Sequence, residues 1–349
     1  MNSIESTNKD YWTKIRHPYS CGIELTPYCN MTCVHCYMHG YKVDNILRFN
    51  EIKKILDILF DEGLLFVYFT GGEILTHPDF LEIFLYAKKK GFIVELLSNI
   101  TLLTPEIVSV FSEYPPATIS ISIYGASEET YHKITGTQGN YSRAINALEM
   151  LQAAHLNFEI KFIGLKQNIE DFFAVEAIAK RFGVKFTHTF EMFPTLNQDN
   201  SPINSMLSID DILDFEQNYE ASSKRWATQC VPSTPVHDAP LYFCDIATSN
   251  FIIDCEGYMN PCNKLRTQEY KILETPFKEI WAAFAKYKQI KAPQDYPCPT
   301  CAYRAICVPC PAENYLSTNS YSTPSRHVCL LSQRRMEVFS GDIYSHYRK

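Results

Sequence analysis

From Ser20 to Phe190 the chain alternates short, nearly all-apolar runs with longer stretches whose apolar positions recur at spacings of three and four. The short runs predict strands at Gly22–Thr26, Leu65–Thr70, Ile93–Leu97, Thr118–Tyr124, Phe158–Ile163 and Lys185–Phe190. The longer stretches predict helices over Asn50–Phe60, Asp79–Lys90, Pro105–Ser112, Tyr141–Ala154 and Ile169–Phe182. The first of these opens on a capping Asn and puts Ile52, Ile55, Leu56 and Leu59 on one face. Strands apolar on both faces belong in a parallel sheet covered by helices. Repeated βα units therefore predict an α/β fold, either a right-handed partial barrel or an open doubly wound sheet. Ligands in such folds gather at the C-terminal ends of the strands. Beyond Phe190 the pattern breaks: Pro194–Pro202 reads as a loop, Asp210–Lys224 as one more helix, and the proline-rich Trp226–Pro240 as a linker.

Composition narrows this picture. With 349 residues, 46% hydrophobic and 20% charged, the chain is long enough for one large domain and a smaller one and too apolar for wholesale disorder. A net charge of −7 argues against a nucleic-acid binder, which needs a basic face. No apolar run is long enough to span a bilayer, and the polar start Met1–Asp10 does not resemble a signal peptide, so the expected location is the cytoplasm. In that reducing compartment 13 cysteines point to metal rather than to disulfides. None falls between Cys36 and Cys230, which separates a body with one cysteine motif from a cysteine-rich tail. The expected division is a segment 1–19, a body 20–225, and a linker with a C-terminal domain 226–349.

Cys29, Cys33 and Cys36 follow the first strand in a tight loop. Iron–sulfur clusters usually take four thiolates, so three close ones leave one iron open to an external ligand. The alternative is zinc with a more distant fourth ligand such as His35 or His39, although zinc knuckles usually pair their cysteines. Strand two ends in Thr70-Gly71-Gly72-Glu73, where glycines admit a close backbone approach and a carboxylate could pair an ammonium. Strand three ends in Ser98-Asn99, strand four carries Ser122 among apolar residues, and Arg143 begins the next helix. Each has a plain reading as a turn, a cap or a helix-surface residue.

Taken together, these residues resemble the radical S-adenosylmethionine (SAM) superfamily, whose CxxxCxxC loop is reproduced in full, with His35 where an aromatic residue usually stands. The resemblance implies a partial (β/α)6 TIM-like barrel and a [4Fe–4S] cluster on Cys29, Cys33 and Cys36 whose open iron chelates SAM. It further implies SAM contacts from Gly71, Gly72 and Glu73 to the amino group, from Ser98 and Asn99 nearby, from Ser122 to the ribose and from Arg143 to the carboxylate. Gly164, after strand five, would approach the adenine through its backbone.

In the tail, Cys244 is followed by twelve residues, Gly257, four residues and Cys262; then come Cys298-Pro-Thr-Cys301, Cys307-Val-Pro-Cys310 and Cys329. Paired CxxC motifs alone fit a zinc ribbon. The whole arrangement resembles the SPASM domain of radical SAM enzymes, with two residues rather than three between Cys307 and Cys310. That resemblance implies two auxiliary [4Fe–4S] clusters. One would use Cys244, Cys262 and Cys310 with Cys255 as fourth ligand, Cys230 or an open iron being the alternatives. The other would use Cys298, Cys301, Cys307 and Cys329. Cys21 reads as a buried thiol.

SPASM enzymes mostly modify peptides or proteins. The implied function is therefore maturation of a ribosomally made peptide by crosslinking, thioether formation or epimerisation. The alternatives are a sulfatase-type maturase forming formylglycine, or a small-molecule SPASM enzyme. A non-catalytic zinc or electron-transfer protein has no use for a SAM pocket. The implied partners are a peptide or protein substrate, a separate leader-peptide recognition protein, and a reductant such as flavodoxin or ferredoxin. The sequence does not single out a catalytic acid or base.

Overall fold

The computed structural model describes residues 13–340. The polar start expected to be free of a signal sequence, Met1–Asp10, lies outside them. Six parallel strands come first: β1 Ser20–Thr26, β2 Phe66–Gly71, β3 Ile93–Ser98, β4 Thr118–Ser122, β5 Phe158–Ile163 and β6 Lys185–Thr189. The helices between them are α1 Phe49–Asp61, α2 Phe80–Lys90, α3 Pro105–Glu113, α4 Glu128–Thr135, α5 Asn140–Ala153 and α6 Phe172–Phe182. After β6 come α7 Ile209–Asn218 and α8 Glu220–Gln229, and then a hairpin of β7 Asn250–Ile253 and β8 Met259–Asn260. The last described helices are α9 Phe277–Ala283, α10 Lys286–Gln289, α11 Arg304–Cys307, α12 Pro311–Thr318 and α13 Arg326–Phe339.

The sheet order is β6-β5-β4-β3-β2-β1-β7-β8. Strands β1 to β6 follow one another in space, as in a barrel, but the sheet stays open. The expected partial barrel is the observed architecture. Apolar faces drive the assembly. On α1 the residues Ile52, Ile55, Leu56 and Leu59 are fully buried, as their spacing predicts. Helix α3 is capped by the Thr104 side chain with Pro105 in its first turn.

Four elements differ from the sequence pattern. Helix α4 was not expected, although Ser127 caps its start and Gly136 closes its end in the left-handed region. The segment Ile169–Asp171 is a separate 3-10 turn before α6. The helix expected over Asp210–Lys224 is two helices, because Tyr219 adopts extended backbone (φ −93°, ψ 108°) between them. Trp226, assigned to a linker, lies in α8 and is 5% exposed, packed with Cys230, Ile306 and Met336. In the cysteine-rich region β7 pairs in parallel with β1 over Ser20–Ile23 and extends the barrel sheet.

Candidate active site

The loop after β1 is fixed at both ends. Thr32 and Val34 donate backbone hydrogen bonds to the carbonyls of Thr135 and Ile134 at the end of α4, at 2.8 and 2.9 Å. At the base, Gly72 N–H donates to Thr26 O at 2.7 Å and Glu73 N–H to Tyr28 O at 2.8 Å. A Cβ on Gly71 would stand 2.3 Å from Thr26 O, and one on Gly72 2.2 Å from Tyr28 O; Gly71 also has φ +136°. The Gly-Gly pair is thus required first by the chain's own Thr26–Tyr28 backbone, which closes onto it.

Cys29, Cys33 and Cys36 come together here, each within electrostatic reach of another. Burial pushes all three thiols up, Cys29 to about 11, so an apo chain holds them neutral. Asn99 donates to Cys29 Sγ at 3.7 Å and to Asn30 Oδ1 at 2.9 Å, and Asn30 reaches Thr101 Oγ1 at 2.9 Å. His35 is pushed down to about 4 by burial, packs against Tyr124 at 5.3 Å, and leaves Nδ1 without a hydrogen-bond partner. Three thiols of this softness, with an amide donor aimed at one of them, fit an iron–sulfur cluster with one open iron. Among the described residues, no three His, Cys, Asp or Glu side chains converge as ligands to a single metal ion.

A cavity of about 940 Å³ opens over this loop, lined by the cysteines, Gly71 and Gly72, Ser98 and Asn99, Ser122, and the loop Glu191–Phe193. Three of the expected SAM contacts do not line it. Glu73 is fully buried and does not line the cavity. Its Oε1 accepts from Leu75 N at 3.0 Å and Ser98 Oγ at 2.7 Å, and its Oε2 from Asn99 N at 2.7 Å. The carboxylate is committed to pinning the ends of β2 and β3 together. Arg143 is exposed in the first turn of α5, its guanidinium 3.4 Å from Asn140 Oδ1, and is also outside the cavity. Ala144, Ala147, Leu148 and Leu151 take the core face of α5 and turn Arg143 to solvent. Gly164 is not at the cavity either: a Cβ there would meet the Phe190 ring at 2.4 Å.

The tail cysteines fall into two groups. Cys298, Cys301, Cys307 and Cys329 interact with one another, with Cys307 pushed up to about 12 by burial. Cys244, Cys262 and Cys310 form the other: Cys262 feels Cys244, and Cys310 feels Cys262. Cys255 is fully buried beside Asp254, Glu24 and Glu256, and Cys230 donates to the Arg335 carbonyl at 3.6 Å. Cys21 is a buried thiol inside β1, donating to Gly22 O at 3.2 Å.

Several residues that matter here carried weaker signals. Glu24 is a carboxylate in an apolar strand, and it forms a two-point ion pair with Arg266 at 2.9 and 2.5 Å, its side chain fully buried. The pair bolts β1 to the tail and lies beside Tyr37 and Tyr68. Gly22 leaves room for the Tyr68 ring, which a Cβ would strike at 2.3 Å. A lone glycine in a strand is the kind of signal that marks such a close approach.

A cysteine triad on the loop after β1, closed against a Gly-Gly turn at the mouth of an open parallel barrel, defines a SAM-dependent radical enzyme. Residues 23–194 match the radical SAM superfamily. The chain is 30% identical over 324 residues to the AdoMet-dependent heme synthase of Methanosarcina barkeri, covering 85% of this chain and 92% of that one. It is 32% identical over 136 residues to the subtilosin biosynthesis protein AlbA of Bacillus subtilis, covering 38% of this chain and 30% of AlbA. Its fold is similar to that of Streptococcus suis SuiB bound to precursor peptide SuiA (TM-score 0.71, 14% identity, 94% of this chain and 81% of that one). The chain belongs to the radical SAM superfamily and is an enzyme of that class, with a [4Fe–4S] cluster and SAM as its family cofactors. Among the described residues no helix is long and apolar enough to cross a membrane.

Proposed function

We propose that the enzyme modifies a ribosomally synthesised peptide in the cavity above Cys29, Cys33 and Cys36. The cluster, when bound, supplies the electron that splits the C–S bond of SAM to give a 5′-deoxyadenosyl radical. This chain's residues position the reactants. Gly71 and Gly72 offer backbone carbonyls to the SAM amino group, with Glu73 bracing the turn from behind. Ser98, Asn99 and Ser122 line the space for the nucleoside, and Asn99 also steadies Cys29. The tail cysteines hold auxiliary clusters: Cys298, Cys301, Cys307 and Cys329 one, and Cys244, Cys262 and Cys310 another with an open fourth position. The proposed setting is the cytoplasm, with a flavodoxin or ferredoxin as reductant and a separate protein presenting the peptide leader.

The observation that carries the peptide reading is the charge balance of the cavity. Lys42 and Lys161 are offset by Glu95 and Glu191, and the rest of the lining is aromatic, aliphatic, Met and small polar, with His35 and His39 beside the cysteines. An open, electrically balanced cleft suits an extended backbone. A second reading, a tetrapyrrole substrate, is favoured by the near end-to-end match to a heme synthase. A porphyrin carrying propionates needs a surplus of cations, and Lys161 is already 3.3 Å from Glu159. The test is to supply the reduced, SAM-loaded enzyme with the peptide encoded beside its gene and, separately, with a propionate-bearing iron porphyrin. Mass spectrometry should show hydrogen loss or solvent deuterium uptake in the peptide. Turnover of the porphyrin with an untouched peptide would overturn the reading.

A further inference from the structure

Lys264 lies two residues after Cys262 and joins the auxiliary cysteines to the cavity. Its Nζ is 2.7 Å from Glu313 Oε2 and 4.1 Å from the centre of the Phe193 ring. Glu313 is in the first turn of α12, three residues after Cys310. Phe193 lines the cavity and packs against Tyr37 at 5.4 Å, and Tyr37 directly follows Cys36. One cation is thereby held between the first cysteine loop, the substrate space and the set Cys244, Cys262 and Cys310. The other charges facing Lys264 are Glu313 and Glu191, the second also a cavity residue.

We propose that Lys264 is the positioning charge that makes the auxiliary site on Cys244, Cys262 and Cys310 reducible, held in place by the Phe193 ring at the cavity wall. The inference rests on the reading that these cysteines hold a cluster. Adding an electron to a cluster adds negative charge, and a cation two residues from Cys262 and ion-paired to Glu313, three residues from Cys310, favours that reduced form. Because Phe193 and Glu191 border the substrate space, a peptide seated there contacts the groups that hold the cation.

The test is a potentiometric titration of the reconstituted full chain, followed by electron paramagnetic resonance. The Cys262→Ala variant identifies the signal that belongs to this site. Lys264→Met should lower the reduced-to-oxidised ratio at a fixed potential by about tenfold, equivalent to ~59 mV for one electron. Lys264→Arg should restore it, and Glu313→Gln should move it the other way. An unchanged potential in Lys264→Met, with iron content intact, overturns the role of Lys264. If Lys264→Met fails to assemble, Lys264→Arg and Glu313→Gln decide: no shift in Glu313→Gln refutes the electrostatic coupling. A wild-type chain with no signal sensitive to Cys262→Ala refutes the underlying cluster assignment instead.

Discussion

Replacing Glu73 with Gln separates a structural brace from a SAM ligand. In the structure Glu73 is fully buried and accepts three hydrogen bonds, from Leu75 N, Ser98 Oγ and Asn99 N. Burial raises its pKa, and these three donors oppose the rise. Two of the donors are backbone N–H groups that cannot turn away. In Gln, one oxygen serves one of them and the amide N–H₂ faces the other, leaving a buried donor unpaired. Such a loss costs about 1–3 kcal/mol. Glu73→Ala removes all three acceptor contacts and opens a void, for a cost of roughly 3–5 kcal/mol. Urea unfolding of the anaerobic apo chain reads both numbers, and equilibrium dialysis of the reconstituted chain reads SAM affinity. Both variants should lose stability, with SAM affinity falling only as far as the Gly71–Gly72 turn loosens. If Glu73→Gln unfolds like wild type yet no longer binds SAM, the carboxylate faces the cofactor and the reasoning is wrong.

Arg143→Ala should leave SAM affinity unchanged within about 0.5 kcal/mol, since an exposed helix residue away from the cavity contributes little; a tenfold loss by dialysis would return Arg143 to the site. Arg266→Met should destabilise the fold by roughly 3–5 kcal/mol by stranding the buried Glu24 carboxylate, and the double variant Glu24→Gln/Arg266→Met should recover part of that in urea melts. Asp57 on α1 is held down to about 2 by Lys90, Tyr86 and Lys53. A depressed carboxyl stabilises above its unfolded pKa, and that contribution fades as pH falls through about 4 toward 2. The pair is only partly buried, so Asp57→Asn should flatten the acid limb of apo-chain stability by less than about 1 kcal/mol.

Most of the barrel was readable because its strands are nearly all apolar and its helices periodic. The missing pieces have identifiable reasons. Strand β7 is four residues long and gains its place only by pairing with β1, more than two hundred residues away, which no local pattern encodes. Helix α4 did carry a signal, Ser127 before it and Gly136 after it, in a stretch whose mean polarity hid its buried face, Tyr131 and Ile134. The break at Tyr219 has no glycine or proline to announce it. The cysteine loop and Gly-Gly turn were legible as motifs because spacing constrains them. The directions of Glu73 and Arg143 were not, because motif position fixes a residue's place on the backbone and packing decides which way its side chain turns.

Iron content together with 5′-deoxyadenosine production tests whether Cys29, Cys33 and Cys36 hold the cluster that cleaves SAM. Anaerobically reconstituted wild type, given SAM and reductant, should carry about three [4Fe–4S] clusters and release 5′-deoxyadenosine. The triple Cys→Ala variant at these positions should lose one cluster and all release, while the tail clusters remain. Continued 5′-deoxyadenosine production by the triple variant would show that these cysteines do not hold the SAM-cleaving cluster.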